Sequence, residues 1–273
     1  MKASRQESRE LARKRTSQGR GQGQGANYQP WLVVREVVGR GTCWRVQGWT
    51  VDRKHELFGK LQRWHFYTLD WSAAVIDIRE QYPLLPLDST LDIAKKLGIR
   101  HPGHQSRRSP AGVLMVDFMV TKMSNGVRWN EAHMLSYAKR RSEEGSEQTR
   151  KVLDIKKRWL EAHGIKVVEI TDETLSIELA KNVHMVHKHL DISERVHCLQ
   201  SELDLVVRTL SEYAWSGMAL RDAAKRCEEV FSLPPGSGLA IAYHLIATKR
   251  WQINMHVPIN ASQPLTFLSK PNF

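Results

Sequence analysis

One carboxylate stands inside an apolar run: Asp117 in "LMVDFMV", residues 114–120. Burying an unpaired carboxylate costs several kcal/mol, so a partner in the core or a bound cation has to compensate it. A metal-dependent phosphodiesterase uses acids in this way. They converge on a divalent ion that offsets charge developing on the scissile phosphate, and a lysine nearby orients or deprotonates the attacking water. Nucleases commonly set one acid mid-strand, then a metal ligand and a lysine two residues apart on the neighbouring strand. Strand side chains alternate, so positions i and i+2 share a face. By pattern alone, Asp117 is as well explained by a structural ion pair as by a metal site.

The elements around it follow from periodicity and breakers. "GVLMVDFMVTKMSNGVRWNEAHMLSYAKRR" reads as strand, tight turn and strand, closed by Lys139, Arg140 and Arg141. Upstream, "WLVVREVV" and "CWRVQGWTV" read as strands. "HELFGKLQRWHFYTLDW" has helical spacing through Leu57, Leu61, Trp64 and Phe66, and "AVIDIREQYPLLP" is extended until its prolines. "DSTLDIAKKLGI" is a short helix ending at Gly98. Downstream, "SEQTRKVLDIKKRWLEAHG" is a helix and "IKVVEIT" a returning strand. The expected fold is a mixed α/β domain over residues 28–172.

From residue 173 to 273 the pattern turns helical. "LRDAAKRCEEV", "PPGSG", "LAIAYHLIATKR" and "WQINMHVPI" give helix, turn, helix and β-element, the order of a winged helix suited to partner or DNA docking. Residues 1–27 are polar and Gly-rich. They read as a flexible basic arm able to lie on phosphates through Arg13, Lys14, Arg15 and Arg20.

The 273 residues carry a net charge of +12, which favours a polyanionic partner, nucleic acid before an anionic membrane. No apolar run approaches the roughly 18 residues of a membrane span. The amino terminus lacks the apolar core of a secretory signal, and three dispersed cysteines make no disulfide framework. A reducing, cytoplasmic setting is expected. Lys151, Lys156, Lys157 and Arg158 form a basic set on one helix, suited to backbone phosphates but equally a solvated face. His184, His187 and His189 have helical spacing without a completing acid or cysteine, and His133 reads as a core histidine.

Four stretches carry a resemblance: "GRGQGQGANYQPWLVVREV", "LDWSAAVIDIREQYPLLP", "LMVDFMV" and "TRKVLDIKKRWLEAHGIKVVEIT". In this order, over residues 19–172, the chain resembles the TnsA endonuclease subunit of heteromeric cut-and-paste transposases. The resemblance implies a restriction-endonuclease-like core with Mg²⁺, for which Mn²⁺ can substitute. It implies 5′-strand cleavage at transposon ends on double-stranded DNA, a TnsB-like DDE transposase and a TnsC-like AAA+ ATPase as partners, and a nucleoid-associated bacterial location.

Carried over by position, the family's strand aspartate falls on Asp117 and its helix glutamate on Gln62, which brings an amide oxygen but no charge. The family lysine falls on Ala138, with Ser136 two residues earlier on the metal side; a one-residue slip or a bulge recovers Lys139. Glu56, six residues before Gln62 on the expected helix, lies about 120° away around the axis and makes a poor substitute. The site is therefore expected either to cleave, with Lys139 reaching in, or to have lost cleavage and kept an assembly role.

Overall fold

The computed structural model describes residues 5–36, 42–102, 112–138, 147–193 and 200–271, and the chain divides into two compact units, Met1–Leu175 and Ser176–Phe273. The first unit is built on four strands, β3 (Val75–Pro83), β4 (Met115–Ser124), β5 (Val127–Ser136) and β6 (Lys166–Thr171). They lie in the order β3-β4-β5-β6, antiparallel through β5, with β6 parallel to β5. The parallel pair is joined by helix α4 (Glu147–Ala162), the crossover that a parallel connection requires. A separate ribbon pairs β1 (Cys43–Gln47) with β2 (Lys54–Phe58).

The main core lies on one side of the sheet. Met119, Ala132 and Met134 pack there with Ile155, Trp159 and Leu160 of α4 and Ala94 of α3 (Leu87–Lys96). Burying each such large side chain contributes on the order of 1.5–3 kcal/mol. Helix α2 (Lys60–Trp71) packs elsewhere on the unit, where the His65 and Phe118 rings meet in a T-shaped pair with centroids 5.8 Å apart. Alternation along β4 accounts for this split between Phe118 and Met119.

The amino-terminal segment departs from the expected arm. Arg5–Ser17 is a helix, α1, with Ala12 buried against Trp31, Leu32, Leu87 and Val113. Arg9 pairs with Asp88 at 2.6 Å. The glycine-rich stretch after it is docked on β3. Gly21, at φ 72°, lies so close to Pro83 that a Cβ added there would stand 2.2 Å from the ring. Taken alone the segment has too little apolar surface to order; it becomes ordered by borrowing partners from elsewhere in the chain.

Two further expectations are corrected. "WLVVREVV" forms bends and a 3₁₀ turn at Val34–Glu36 instead of a strand, in its described part. The helix expected from His55 begins only at Lys60, because Gly59 at φ 95° breaks the chain after β2. Glu56 is thus a strand residue, and the helical-angle argument about it does not apply. Its carboxylate accepts hydrogen bonds from Arg45 and from Val34 N, at 3.0 and 2.8 Å.

Beneath β2 and β3 lies a buried charge cluster. Glu80, fully buried, accepts from both Arg53 terminal nitrogens at 2.8 and 2.5 Å, from Glu56 N at 2.9 Å, and pairs with His55 Nδ1 at 2.8 Å. This cluster ties the ribbon to the sheet.

The second unit contains α5 (Ile177–Val186), α6 (Gln200–Trp215), α7 (Leu220–Phe231) and α8 (Ser237–Ala247). A Cβ on Gly238 would stand 2.5 Å from Ala224 O, so glycine is what lets α8 approach α7. Asn182, buried on α5, donates to Met255 O and Val257 O and accepts from Ile259 N, which pins the returning chain. The β-element expected at "WQINMHVPI" amounts to a single bridge, Ile253 to Phe267. The three histidines do not gather: His184 is exposed, while His189 is buried against Tyr243.

Burial alone would raise the Glu80 carboxyl, but its hydrogen bonds from Arg53 and His55 and their charges hold it at about 2, below its ordinary 4.5. A carboxylate with a depressed folded pKa contributes stability that is complete above the unfolded value and lost as pH falls through the folded one. Glu80→Ala, which leaves Arg53 buried without its partner, is expected to cost about 3–5 kcal/mol in urea denaturation at neutral pH. It should also flatten the fall in stability between pH 4.5 and about 2.

Candidate active site

Asp117 marks a break in the sheet. The β4–β5 ladder runs from Ser124↔Val127 to Phe118↔His133 and goes no further. Beyond that point Leu135 N donates to Asp117 Oδ2 at 2.9 Å, so a side chain takes the place of a strand carbonyl. The other carboxylate oxygen, Oδ1, accepts from Gln62 Nε2 at 3.3 Å.

Gln62 sits in the first turn of α2 and is 4% exposed. Its amide oxygen accepts from Phe58 N and from Gln81 Nε2, the latter at 3.0 Å. A backbone N–H can only donate, so Gln62 has to turn its oxygen toward Phe58 and its NH₂ toward Asp117. The amide oxygen is therefore committed away from the acid. Gln81, which holds it there, is a buried β3 residue in the left-handed region at φ 51°. Nothing in the sequence pattern singles out Gln81, because a glutamine in an extended run carries no mark of its backbone angle.

Lys156 also belongs here. Burial pushes the Asp117 carboxyl above its ordinary range, opposed first by the Lys156 charge and then by the Leu135 and Gln62 hydrogen bonds. Burial pushes the Lys156 ammonium down in turn, opposed by Asp117. The basic set on α4 is thus split. Lys151 pairs with Glu147, Lys157 with Glu169 and Arg158 with Glu161, whereas the charge of Lys156 acts on the candidate site.

Ser136 ends β5, and alternation sets it on the face of Ala132 and Met134. Ala138 offers its backbone N–H to Asp172 at 2.7 Å. Lys139 lies outside the described residues. Of the four amino-terminal cations, Arg13 and Lys14 are exposed on α1. Arg15 donates to Trp31 O at 2.7 Å, and Arg20 pairs with Glu36 at 2.6 Å, which makes both part of the packing.

His133 is buried and bonded to His65 at 2.8 Å and to Glu131 at 3.2 Å, while Lys122 closes on Glu131 at 2.6 Å. Burial, the neighbouring His133 and the Lys122 charge hold His65 down to about 3, so it stays neutral in the core. Among the described residues no three His, Cys, Asp or Glu side chains gather in a way that would hold a metal ion. Asp117 has both oxygens engaged by donors and an ammonium charge acting on it; this donor set does not fit a divalent ion as arranged.

A mixed sheet with an acid at a break between two central strands and helices packed around it has the architecture of the restriction-endonuclease-like nucleases. Residues 72–172 match the family described as TnsA-like endonuclease N terminal, and residues 175–255 match TnsA endonuclease C terminal. The chain belongs to the TnsA-like endonuclease family. It is 43% identical over 107 residues to the Transposon Tn7 transposition protein TnsA of Escherichia coli, a stretch covering 39% of this chain and 38% of that relative.

Replacing Gln62 by leucine strands Phe58 N–H, Gln81 Nε2 and Asp117 Oδ1 together. Gln62→Leu is expected to lower unfolding free energy by about 1–3 kcal/mol at neutral pH, read by urea denaturation. Gln81→Ala, which removes one donor and leaves the other two contacts intact, should cost less.

Proposed function

We propose that this chain is the TnsA-like subunit of a Tn7-type transposition complex, where it serves as an architectural DNA- and ATPase-binding component. Its partners in this reading are transposon-end double-stranded DNA, a TnsB-like DDE transposase and a TnsC-like AAA+ ATPase in a bacterial cytoplasm. Its surface cations, including Arg13, Lys14, Lys151, Lys157 and Arg158, would lie on backbone phosphates, which position a duplex without reading its sequence. The unit Ser176–Phe273 would dock a partner or DNA.

The observation that carries the architectural role is the Gln62 NH₂ donating to Asp117 at 3.3 Å. Where a nuclease of this architecture needs a second acid, this chain presents a hydrogen-bond donor. TnsA-like endonucleases are generally metal-dependent, and a divalent ion there would supply charge stabilisation at phosphate. A single carboxylate gives such an ion little to bind.

A second reading keeps hydrolysis of the 5′ strand with Mg²⁺ or Mn²⁺. What favours it is Asp117 itself, kept at a break in the sheet, with Ser136 at the end of β5 on the face of Ala132 and Met134, and Lys139 would supply the lysine.

The two readings separate in a reconstituted reaction with the TnsB-like and TnsC-like partners, labelled transposon ends and Mg²⁺ or Mn²⁺. The architectural subunit should assemble on the ends and leave the 5′ strand uncut, with Asp117→Ala leaving transposition unchanged. A divalent-dependent nick that disappears in Asp117→Ala would establish the hydrolytic reading instead.

A further inference from the structure

Three cations of α4 answer carboxylates other than Asp117: Lys151 meets Glu147 at 2.5 Å, Arg158 meets Glu161 at 3.5 Å, and Lys157 meets Glu169 of β6 at 2.6 Å. Lys156 makes no ion pair of that kind among the described residues. It follows Ile155, which is fully buried in the cluster that also contains Met119, Ala132 and Met134. Val116 and Met119, on either side of Asp117 along β4, and Met134, next to the Leu135 whose N–H holds the acid, all belong to that cluster, so α4 packs against the stretch that carries Asp117. Lys156 is half-buried, as is Asp117, and each acts on the charge of the other.

We propose that the Lys156 ammonium is the resident counter-cation of Asp117, taking the role that a divalent ion has at a nuclease acid and closing this site to Mg²⁺. This rests on the architectural reading above and gives it a physical cause.

Charge and hydrogen bonding both argue for it. An incoming divalent ion would meet one carboxylate whose charge is already balanced, and would feel the ammonium's repulsion in surroundings less polar than water. It would also have to displace the Gln62 NH₂ from Oδ1 and compete with Leu135 N–H at Oδ2. The same pairing has a consequence for DNA. A bare Asp117 would repel a phosphate backbone, whereas the neutralised pair lets a phosphate approach with no metal present. Binding to transposon ends is then insensitive to chelator.

The test uses the full chain. Melting temperature is followed in EDTA and with added Mn²⁺ for the native chain, Lys156→Met, Asp117→Asn and the Lys156→Met/Asp117→Asn double variant, and Mn²⁺ affinity is titrated calorimetrically. The native chain should melt at the same temperature in both conditions. Each single variant should melt lower, with the double variant closer to native than the sum of the two losses. Lys156→Arg, which keeps the charge, should fold as the native chain does and remain blind to Mn²⁺. Gln62→Glu combined with Lys156→Met should bind Mn²⁺ at least about tenfold more tightly than the native chain, a change of about 1.4 kcal/mol.

Strictly additive single losses would overturn the proposal, as would Mn²⁺ binding by the native chain that is lost in Asp117→Asn. DNA cleavage by a chain that shows the coupling would refute the architectural reading and leave the counter-cation standing. Native Mn²⁺ binding without cleavage would do the reverse.

Discussion

A carboxylate between apolar strands has to be compensated, and several elements of this protein converge to compensate Asp117. Three groups act together on it: a backbone N–H released by the broken ladder, an amide N–H from α2 and the charge of a lysine on α4. Each comes from a different element, so β5, α2 and α4 are all positioned around one negative charge. The break at Phe118↔His133 is part of this arrangement. Continuing the ladder would have given Leu135 N–H a strand carbonyl and left Oδ2 without that donor.

The order and type of most elements were legible because they are written locally. Alternating apolar residues give β4 and β5, and the spacing of Ile155, Trp159 and Leu160 gives α4 its buried face. Asp117 itself stood out as a charge in an apolar run. Gln81 and Lys156 did not, for different reasons. The role of Gln81 depends on a left-handed backbone angle imposed by tertiary packing. Lys156 is one of four nearby cations with the same composition, and only the helix's rotation against the sheet distinguishes it from Lys157.

The misread segments share one cause. The α1 sequence is highly charged and the stretch after it glycine-rich, a composition that cannot order in isolation. Its few apolar atoms, at Ala12 above all, are buried against Trp31, Leu87 and Val113, which lie far along the chain. Arg15 and Arg20 looked like phosphate ligands for the same reason; Trp31 O and Glu36 take them up only once the turns are folded. The strand before α2 was hidden because Leu57 and Leu61 satisfy helical spacing across Gly59, and the backbone conformation of that glycine is what separates them.

On the architectural reading proposed above, Gln62 keeps the shape of a two-acid site without supplying the second charge. Glutamine has nearly the volume of glutamate, and at this position one side of its head group has a structural role. It accepts from Phe58 N and Gln81 and thereby joins the end of β2 to the first turn of α2 and to β3. Either residue type can supply that oxygen, so packing does not distinguish them. The other half of the head group faces Asp117 and presents it with a neutral donor, where a glutamate would present a charged acceptor. A lone acid left in such a place gains from a fixed positive charge nearby, which Lys156 provides. On the proposed reading the two features are physically linked: with an amide in place of a second acid, an ammonium stabilises Asp117 more directly than a weakly held divalent ion would.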